Sequence, residues 1–324
     1  MAELADAELD EAAVTSLGVG AGLLAADTAY VYMPTEPLRS LGPILAWAHR
    51  AGARQLHLFI DEPDAAARLS LRAAQLDPSP AIWLVEGRTA TPAQPVASAV
   101  SPEFAIPDAG DDVADLIALL TSHGLVVNTE HGVITGELHG LEVARVLDDE
   151  LGVGLAVGVG RFDREAGAML RGDRTDDEAL AEAVAQVKNI RAADGPAAHP
   201  LNRLVRERWL RATVVADPDL VGLVTADAIA APKPPADLLE ANPASAIGVD
   251  AAETNVLVVC GLGSNLDMVS TAADHVATLA SAGVPVARVV IAVPVGDALP
   301  ITEALAGYLR LPATVVEVPA PWPR

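Results

Sequence analysis

Lysine, cysteine and aromatic residues are scarce in this chain, and each scarcity excludes something. Only Lys188 and Lys233 are lysines among the 21 cations, which face 44 acids, so the formal charge is −23 and its positive part is almost wholly arginine. A field of that sign repels bulk nucleic acid and anionic membrane, and confines any nucleic-acid contact to a local basic patch. Cys260 is the one cysteine, which rules out an internal disulfide and, with the seven histidines scattered, a Cys/His zinc site. A lone thiol fits a reducing compartment. Aromatic residues make up 3%, so Ala, Val and Leu must build the core. No uncharged apolar run reaches the roughly 18–20 residues that a membrane span needs. The apolar stretch from Leu17 to Ala26 follows an acidic segment (Glu3, Asp6, Glu8, Asp10, Glu11) and the first cation is Arg39, so it does not read as a signal peptide. The expected location is the cytoplasm, with no membrane partner; a homo-oligomer is left open.

Against these absences stand 51% hydrophobic and 20% charged residues and a mean hydropathy of +0.33, enough apolar material to fold. At about 150 residues per domain, 324 residues suggest two domains or three small ones. Residues 29–87 alternate strand-like and helix-like runs: AYVYMP, LGPILAWAHRAG, QLHLFID, PDAAARLSLRAAQL, AIWLVEG. That βαβαβ order predicts parallel strands in a Rossmann-like α/β domain over residues 1–110, with a Pro-rich tail holding Pro92, Pro95, Pro102 and Pro107. Ligands of such sheets bind beyond the carboxyl ends of the strands, which makes Thr35, Asp61, Glu62 and Arg88 the candidate ligand-binding residues. No GxGxxG follows the first strand, and GVGAG at Gly18 to Gly22 precedes it, so the usual dinucleotide fingerprint is missing.

Residues 111–195 read as a helix over Asp111–Ser122, a small antiparallel β meander punctuated by Gly132, Gly136, Gly140 and Gly152, then helices over Phe162–Leu170 and Asp176–Ile190. Within the meander, Glu142 and Arg145 lie three apart and point to opposite faces of an unbulged strand. Glu137, Glu142 and Asp163 read either as a site or as acids of strand edges and turns. Residues 196–324 open with a long helix, LNRLVRERWLRATVV, and a Pro-rich break. The strands IGVD and NVLVVCG follow, and then alternating helix and strand to ATVVEVP. No internal repeat of fixed period is visible.

That C-terminal order, a helix, a strand ending in Asp250, its partner NVLVVCG and a helix crossing to ARVVIAVP, resembles the restriction-endonuclease-like superfamily with the PD-(D/E)xK motif. The resemblance implies a nuclease-like α/β domain in which Asp250 binds Mg²⁺ and Glu207, on the preceding helix, is the helper acid; these two are the candidate catalytic and metal residues. The ExK position holds Cys260, Gly261 and Leu262, which can neither hold Mg²⁺ nor orient a water, so the implied site is degenerate. The overall plan also resembles CRISPR-associated Rossmann-fold sensor nucleases, although no ligand motif of that family is matched residue by residue.

Arg203, Arg206 and Arg211 fall near one face of the long helix. They read either as a weak phosphate-contacting stripe or as partners of the surplus carboxylates, with Trp209 in the core. Cys260 to Asp267 (CGLGSNLD) reads as a strand, a glycine turn and a helix start that could cradle an anion, or as a simple helix cap. Three functions are consistent with these residues: a degenerate nuclease-like protein with nucleic-acid or regulatory binding, a small-molecule or nucleotide-binding α/β enzyme, and a structural or interaction protein. The degenerate triplet predicts no Mg²⁺- or Mn²⁺-dependent DNA cleavage, with Asp250→Ala indistinguishable from the parent in a nuclease assay. Robust cleavage that vanishes in the variant would show that another acid completes the site.

Overall fold

The computed structural model describes residues 14–18, 20–95, 110–149, 152–170, 174–192, 194–232, 234–235 and 237–323. The acidic leader, Pro102 and Pro107 lie outside them. In chain order the first unit is β1 (Val14–Ser16), β2 (Ala21–Ala25), β3 (Thr28–Tyr32), α1 (Pro37–Arg50), β4 (Gln55–Ile60), α2 (Pro63–Ala73), β5 (Ala81–Glu86) and β6 (Thr89–Pro92). These strands form one sheet in sequence order, with β3, β4 and β5 parallel and the other pairs antiparallel. Both helices begin on proline, whose fixed φ and missing N–H suit the first helical position. The sequence reading of residues 1–110 has βαβαβ over 29–87 but not β1 and β2, which glycines disguise, nor β6, which lies in the stretch expected as a connection.

The middle unit holds α3 (Asp111–Ser122), β7 (Val126–Glu130), β8 (Val133–Leu138), β9 (Leu141–Asp149), β10 (Gly152–Val157), α4 (Gly160–Leu170) and α5 (Asp176–Ile190). Its four strands form the antiparallel meander β10-β9-β8-β7, with its own core around Leu120, Leu141, Leu155 and Val187. A capping box between Thr175 and Glu178 starts α5.

The last unit comprises α6 (Arg206–Ala216), β11 (Thr225–Ile229), β12 (Ala244–Val249), β13 (Asn255–Cys260), α7 (Met268–Ser281), β14 (Arg288–Pro294), α8 (Pro300–Ala306) and β15 (Ala313–Val318). Its sheet runs β11-β12-β13-β14-β15, antiparallel up to β13 and parallel beyond. The expected continuous helix from Leu201 is broken. Residues 200–203 form a 3₁₀ turn, and Val205 takes a left-handed φ of 42° before α6. Arg191 fills the break: its guanidinium donates to the carbonyls of Leu201 and Leu204, which a continuous helix would have used internally, and to that of His139 in the β8–β9 turn. β11 was not anticipated by the sequence reading. Among the described residues no helix is long and apolar enough to cross a membrane.

The first and last sheets share one plan. Each has two antiparallel pairings followed by strand, helix, strand, helix, strand in parallel, to which the first sheet adds the antiparallel edge strand β6. α1 and α7 both have fourteen residues, and each is followed by Ala-Gly with a positive φ at the glycine (Gly52 at 73°, Gly283 at 77°). α2 and α8 each begin on proline. The two helix layers face each other, with α2 on α7, α1 on α8, and α1 against α7. That exchange of partners is what a two-fold relation produces. After α2 and α8, Leu76 and Leu309 form an antiparallel bridge, flanked by Asp77 N–H to Tyr308 O at 2.7 Å and Arg310 N–H to Gln75 O at 2.9 Å. One hydrophobic core joins Leu41, Leu58 and Leu69 from the first half with Val259, Val269 and Ile291 from the second. The described elements of 14–92 and 206–318, which the sequence reading places in separate domains, therefore pack on a common core.

Close approach of the halves needs Gly42 in α1, where a Cβ would lie 2.2 Å from the Leu266 carbonyl oxygen. Arg72 of α2 locks the contact, donating from Nε and Nη2 to the two oxygens of Asp274 at 2.8 and 2.6 Å and from Nη1 to Leu38 O at 2.6 Å. Replacing Arg72 with Leu leaves Asp274 charged and unpaired, and a cost of about 3–5 kcal/mol is expected in urea unfolding. The double variant Arg72→Leu, Asp274→Leu should recover most of it.

Candidate functional site

The two acids that the nuclease resemblance pairs lie at opposite ends of β13. Asp250 follows β12 at the turn into β13, where Val249 pairs with Asn255. Its Oδ1 accepts the N–H groups of Ala252 and Thr254 at 3.0 and 3.1 Å, and those donors, with Arg288 nearby, hold its carboxyl below the usual range. This is a turn residue. Glu207 lies instead against Leu262, beyond the other end of β13. The pair cannot hold one Mg²⁺, and among the described residues no three His, Cys, Asp or Glu side chains group to bind a metal ion. Cys260 is fully buried, and burial pushes its thiol up to about 12, so it is inert packing.

The arginine stripe is also reassigned. Arg211 is buried and faces Glu130 at 2.9 Å and Glu137 at 3.4 Å. Arg208 bridges the same two glutamates. Arg206 lies over the ring of Trp322, 5.0 Å from its centroid, and donates to Asn202 O. Arg203 alone of the three named candidates is exposed. Trp209 is core, with Arg191 stacked 4.4 Å above its ring. These arginines join α6 to β7 and β8, and Gly140 lets the β8–β9 turn approach α6, since a Cβ there would lie 2.3 Å from the Arg208 carbonyl carbon. A bulge opposite the Gly136/Glu137 step skips Val143 and brings Glu142 and Arg145 together at 2.6 Å, where an unbulged strand would part them. Arg164 completes that group at 2.7 Å, and Asp163 accepts the Val159 N–H at the start of α4. Glu137 and Glu142 are thus cross-strand neighbours neutralised by arginines, and Asp163 serves α4.

At the carboxyl ends of β3, β4 and β5 stand Thr35, Asp61, Glu62 and Arg88, all exposed. The Tyr32 hydroxyl donates to Asp61 Oδ2 at 2.5 Å, and that bond holds the phenol above its ordinary range. None of these four residues lines the cavities that follow.

The cavities adjoin one another at the carboxyl end of β13. One, of about 330 Å³, is lined by Pro43 of α1, Glu207 of α6, Ala241, and the turn Leu262 to Asp267. A second, of about 220 Å³, lies between α1, α2, α7 and the segment Pro232–Pro243. Asp267 and Ala241 line both. Glu207 is 4% exposed, and burial raises its carboxyl above the usual range. Asp267 is raised for the same reason, only partly offset by Arg72, Arg39 and the Gly42 backbone, and its Oδ1 is buried without a well-aligned hydrogen-bond partner among the described residues. Two carboxyl groups biased toward the protonated form thus face one cavity, an arrangement suited to proton transfer. Sequence reasoning named Glu207 with the wrong partner and weighed Asp267 only as a residue of a helix start. No sequence signal marks Glu240 or Asn242, which line the second cavity from the Pro-rich break.

No protein-family model matches the chain, and no curated protein or solved structure matches it.

The network of Glu130, Glu137, Arg208 and Arg211 predicts acid sensitivity. Burial works against the Glu130 charge, but Arg211 and Arg208 more than offset it and hold its carboxyl below its ordinary value of 4.5. A depressed carboxyl contributes stability above the unfolded value, and that contribution is lost as pH falls through the folded one. The stability gap between the parent and Glu130→Gln in urea unfolding should therefore be full at pH 6 and shrink steadily below pH 4.5. Arg211→Leu, which leaves buried carboxylates underpaired, should cost about 3–5 kcal/mol at pH 7.

Proposed function

We propose that the chain is a small-molecule-binding α/β protein whose ligand lies in the cleft at the carboxyl end of β13, with Glu207 as the carboxyl that exchanges a proton with it. One observation carries this reading. A buried glutamate that no guanidinium of the described residues pairs opens onto a cavity, while Arg208 and Arg211 beside it are occupied by Glu130 and Glu137. The clamp of Arg191 holds the break at Val205, and the break puts Glu207 in the first turn of α6. Burial and desolvation brings Arg191 down to about 9, with Arg206 adding to the effect, so the clamp carries much of its own electrostatic cost. A site held this way is built at the expense of stability, which is the pattern of functional groups.

The location agrees with the rule for open α/β sheets, where ligands enter beyond the carboxyl edge of parallel strands. We read the first half as Rossmann-like, yet its own strand-end rim lacks the enclosure that the β13 end has. A nuclease-like reading of the second half rests on element order alone, because its two acids are apart. Glu207 can give a proton to, or take one from, a ligand group at the cavity, and Asp267 can share it through the ligand.

Glu207→Gln tests the reading twice. A raised carboxyl favours folding below its unfolded value and costs stability as pH rises through the folded one. The variant should therefore be at least as stable as the parent at pH 7, and the difference should disappear below about pH 4.5, the ordinary glutamate range. Thermal shift against a panel of sugars, amino acids, nucleosides and their phosphates should show a ligand class that stabilises the parent and loses at least about tenfold in affinity in the variant, the value of one hydrogen bond to a charged group. A panel that binds both proteins equally would remove Glu207 from the site.

A further inference from the structure

The second cavity, of about 220 Å³, is not lined by Glu207. It lies where the first turns of α1 and α7 meet, lined by Leu38 and Arg39 from one helix and by Ser270 and Thr271 from the other. Arg39 and Ser270 are equivalent positions of the duplicated unit, each the third residue of a fourteen-residue helix. Neither helix has a side-chain cap; α1 begins on Pro37, which has no N–H, and the Arg39 N–H donates to Glu36 O at 3.0 Å, so Leu38 is the first-turn donor it leaves over.

The chemistry around those helix ends favours an anion. Arg68 and Arg72 of α2 join Arg39 at the cavity wall. Arg72 is held by Asp274, and Arg39 is held by Glu240 at 2.7 Å. Arg68 has no side-chain partner among the described residues. Ser270 is 3% exposed, and its hydroxyl is buried with no hydrogen-bond partner. A buried hydroxyl in a native protein is nearly always bonded, and an acceptor in this cavity is what it lacks. The acids present do not supply one. Asp274 and Glu240 are engaged by Arg72 and Arg39, and Asp267 makes no hydrogen bond to Ser270 among the described residues.

We propose that this cavity is an anion subsite that takes the phosphoryl group of a small phosphorylated molecule, with the rest of that molecule running past Asp267 toward Glu207. The phosphoryl oxygens would accept from Ser270 Oγ, from Arg68, from the Leu38 N–H of α1 and from the first-turn N–H groups of α7, whose dipole favours the same charge. Arg39 reaches the same oxygens by exchanging Glu240 for them. Convergence of donors from three directions suits three terminal oxygens better than the two of a carboxylate. The second half of the proposal, the path toward Glu207, rests on the reading of the cleft as the ligand site.

The test is calorimetric and thermal titration of the full chain with inorganic phosphate, against sodium chloride at equal ionic strength and against acetate. At about ten times the dissociation constant, phosphate should raise Tm by roughly 2–4 °C, while acetate should not. Arg68→Ala should keep the parent's Tm without phosphate and lose the shift, with Arg68→Lys retaining part of it. Ser270→Ala should weaken phosphate about tenfold. Glycerol phosphate should bind more tightly than phosphate alone. No phosphate-specific shift in the parent, or an equal shift in Arg68→Ala, overturns the subsite. Glu207→Gln keeps the inorganic phosphate shift under this proposal. Loss of Glu207 dependence in the ligand panel with phosphate binding intact would therefore defeat only the proton-exchange reading, and the reverse result would defeat only the subsite.

Discussion

The packing of one helix layer against another is the constraint on which the rest of this structure depends. Two sheets, far apart in sequence, each cover one face with two helices, and those helices bury their outer apolar stripes on each other. Neither half could leave that face in water, because a stripe carrying Leu41, Ile44, Leu69, Val269 and Leu305 forfeits about 25 cal/mol for every square ångström of apolar surface exposed. The pairing also fixes the relative placement of the helix ends. Once α1 crosses the Leu266–Asp267 turn at Gly42, the first turns of α1 and α7 must lie together, and the clefts at the carboxyl end of β13 follow from that placement.

With few cations to set against many acids, the fold places its arginines selectively. Arg72 ties the halves, Arg208 and Arg211 tie the middle unit to α6, and Arg191 gathers three backbone carbonyls. Guanidinium suits all of these tasks because its planar fork bonds in several directions and keeps its charge when buried. The acids left without such partners are the informative ones. Most are exposed and maintain the net charge. Glu207 and Asp267 are sheltered without a bonded cation among the described residues, which is costly unless the groups hold protons or meet a ligand.

Geometry, more than composition, separates structural from chemical charges here. The same helix α6 presents Arg211 to a buried glutamate pair and Glu207 to a cavity, although the two stand one turn apart and only about 40° round the helix axis. The break before α6 decides which residue meets which neighbour. A continuous helix from Leu201 would rotate and shift this set, and Arg191 prevents it by competing for the carbonyls.

Local order was legible in the sequence because strand and helix periodicities are short-range properties. The runs QLHLFID, DDEALAEAVAQVKNI and NVLVVC carry their own patterns, and they form β4, α5 and β13. Glycine and proline hid what they usually interrupt: β2 lies among glycines and β6 ends on Pro92. The duplication was not legible, because the second copy starts α7 some 231 positions after α1 with a separate unit between them, and the two share little beyond an Ala-Gly after each helix. Glu207 was visible as an acid on an arginine-rich helix, but its partner was not. Asp250 and Asp267 flank the same strand at comparable separations along the chain, and only the direction of β13 decides which end faces α6. Sequence by itself determined the elements and the charge balance; tertiary packing decided which charges are neutralised and which two carboxyls share a cavity, since burial and proximity are properties of contacts between distant segments.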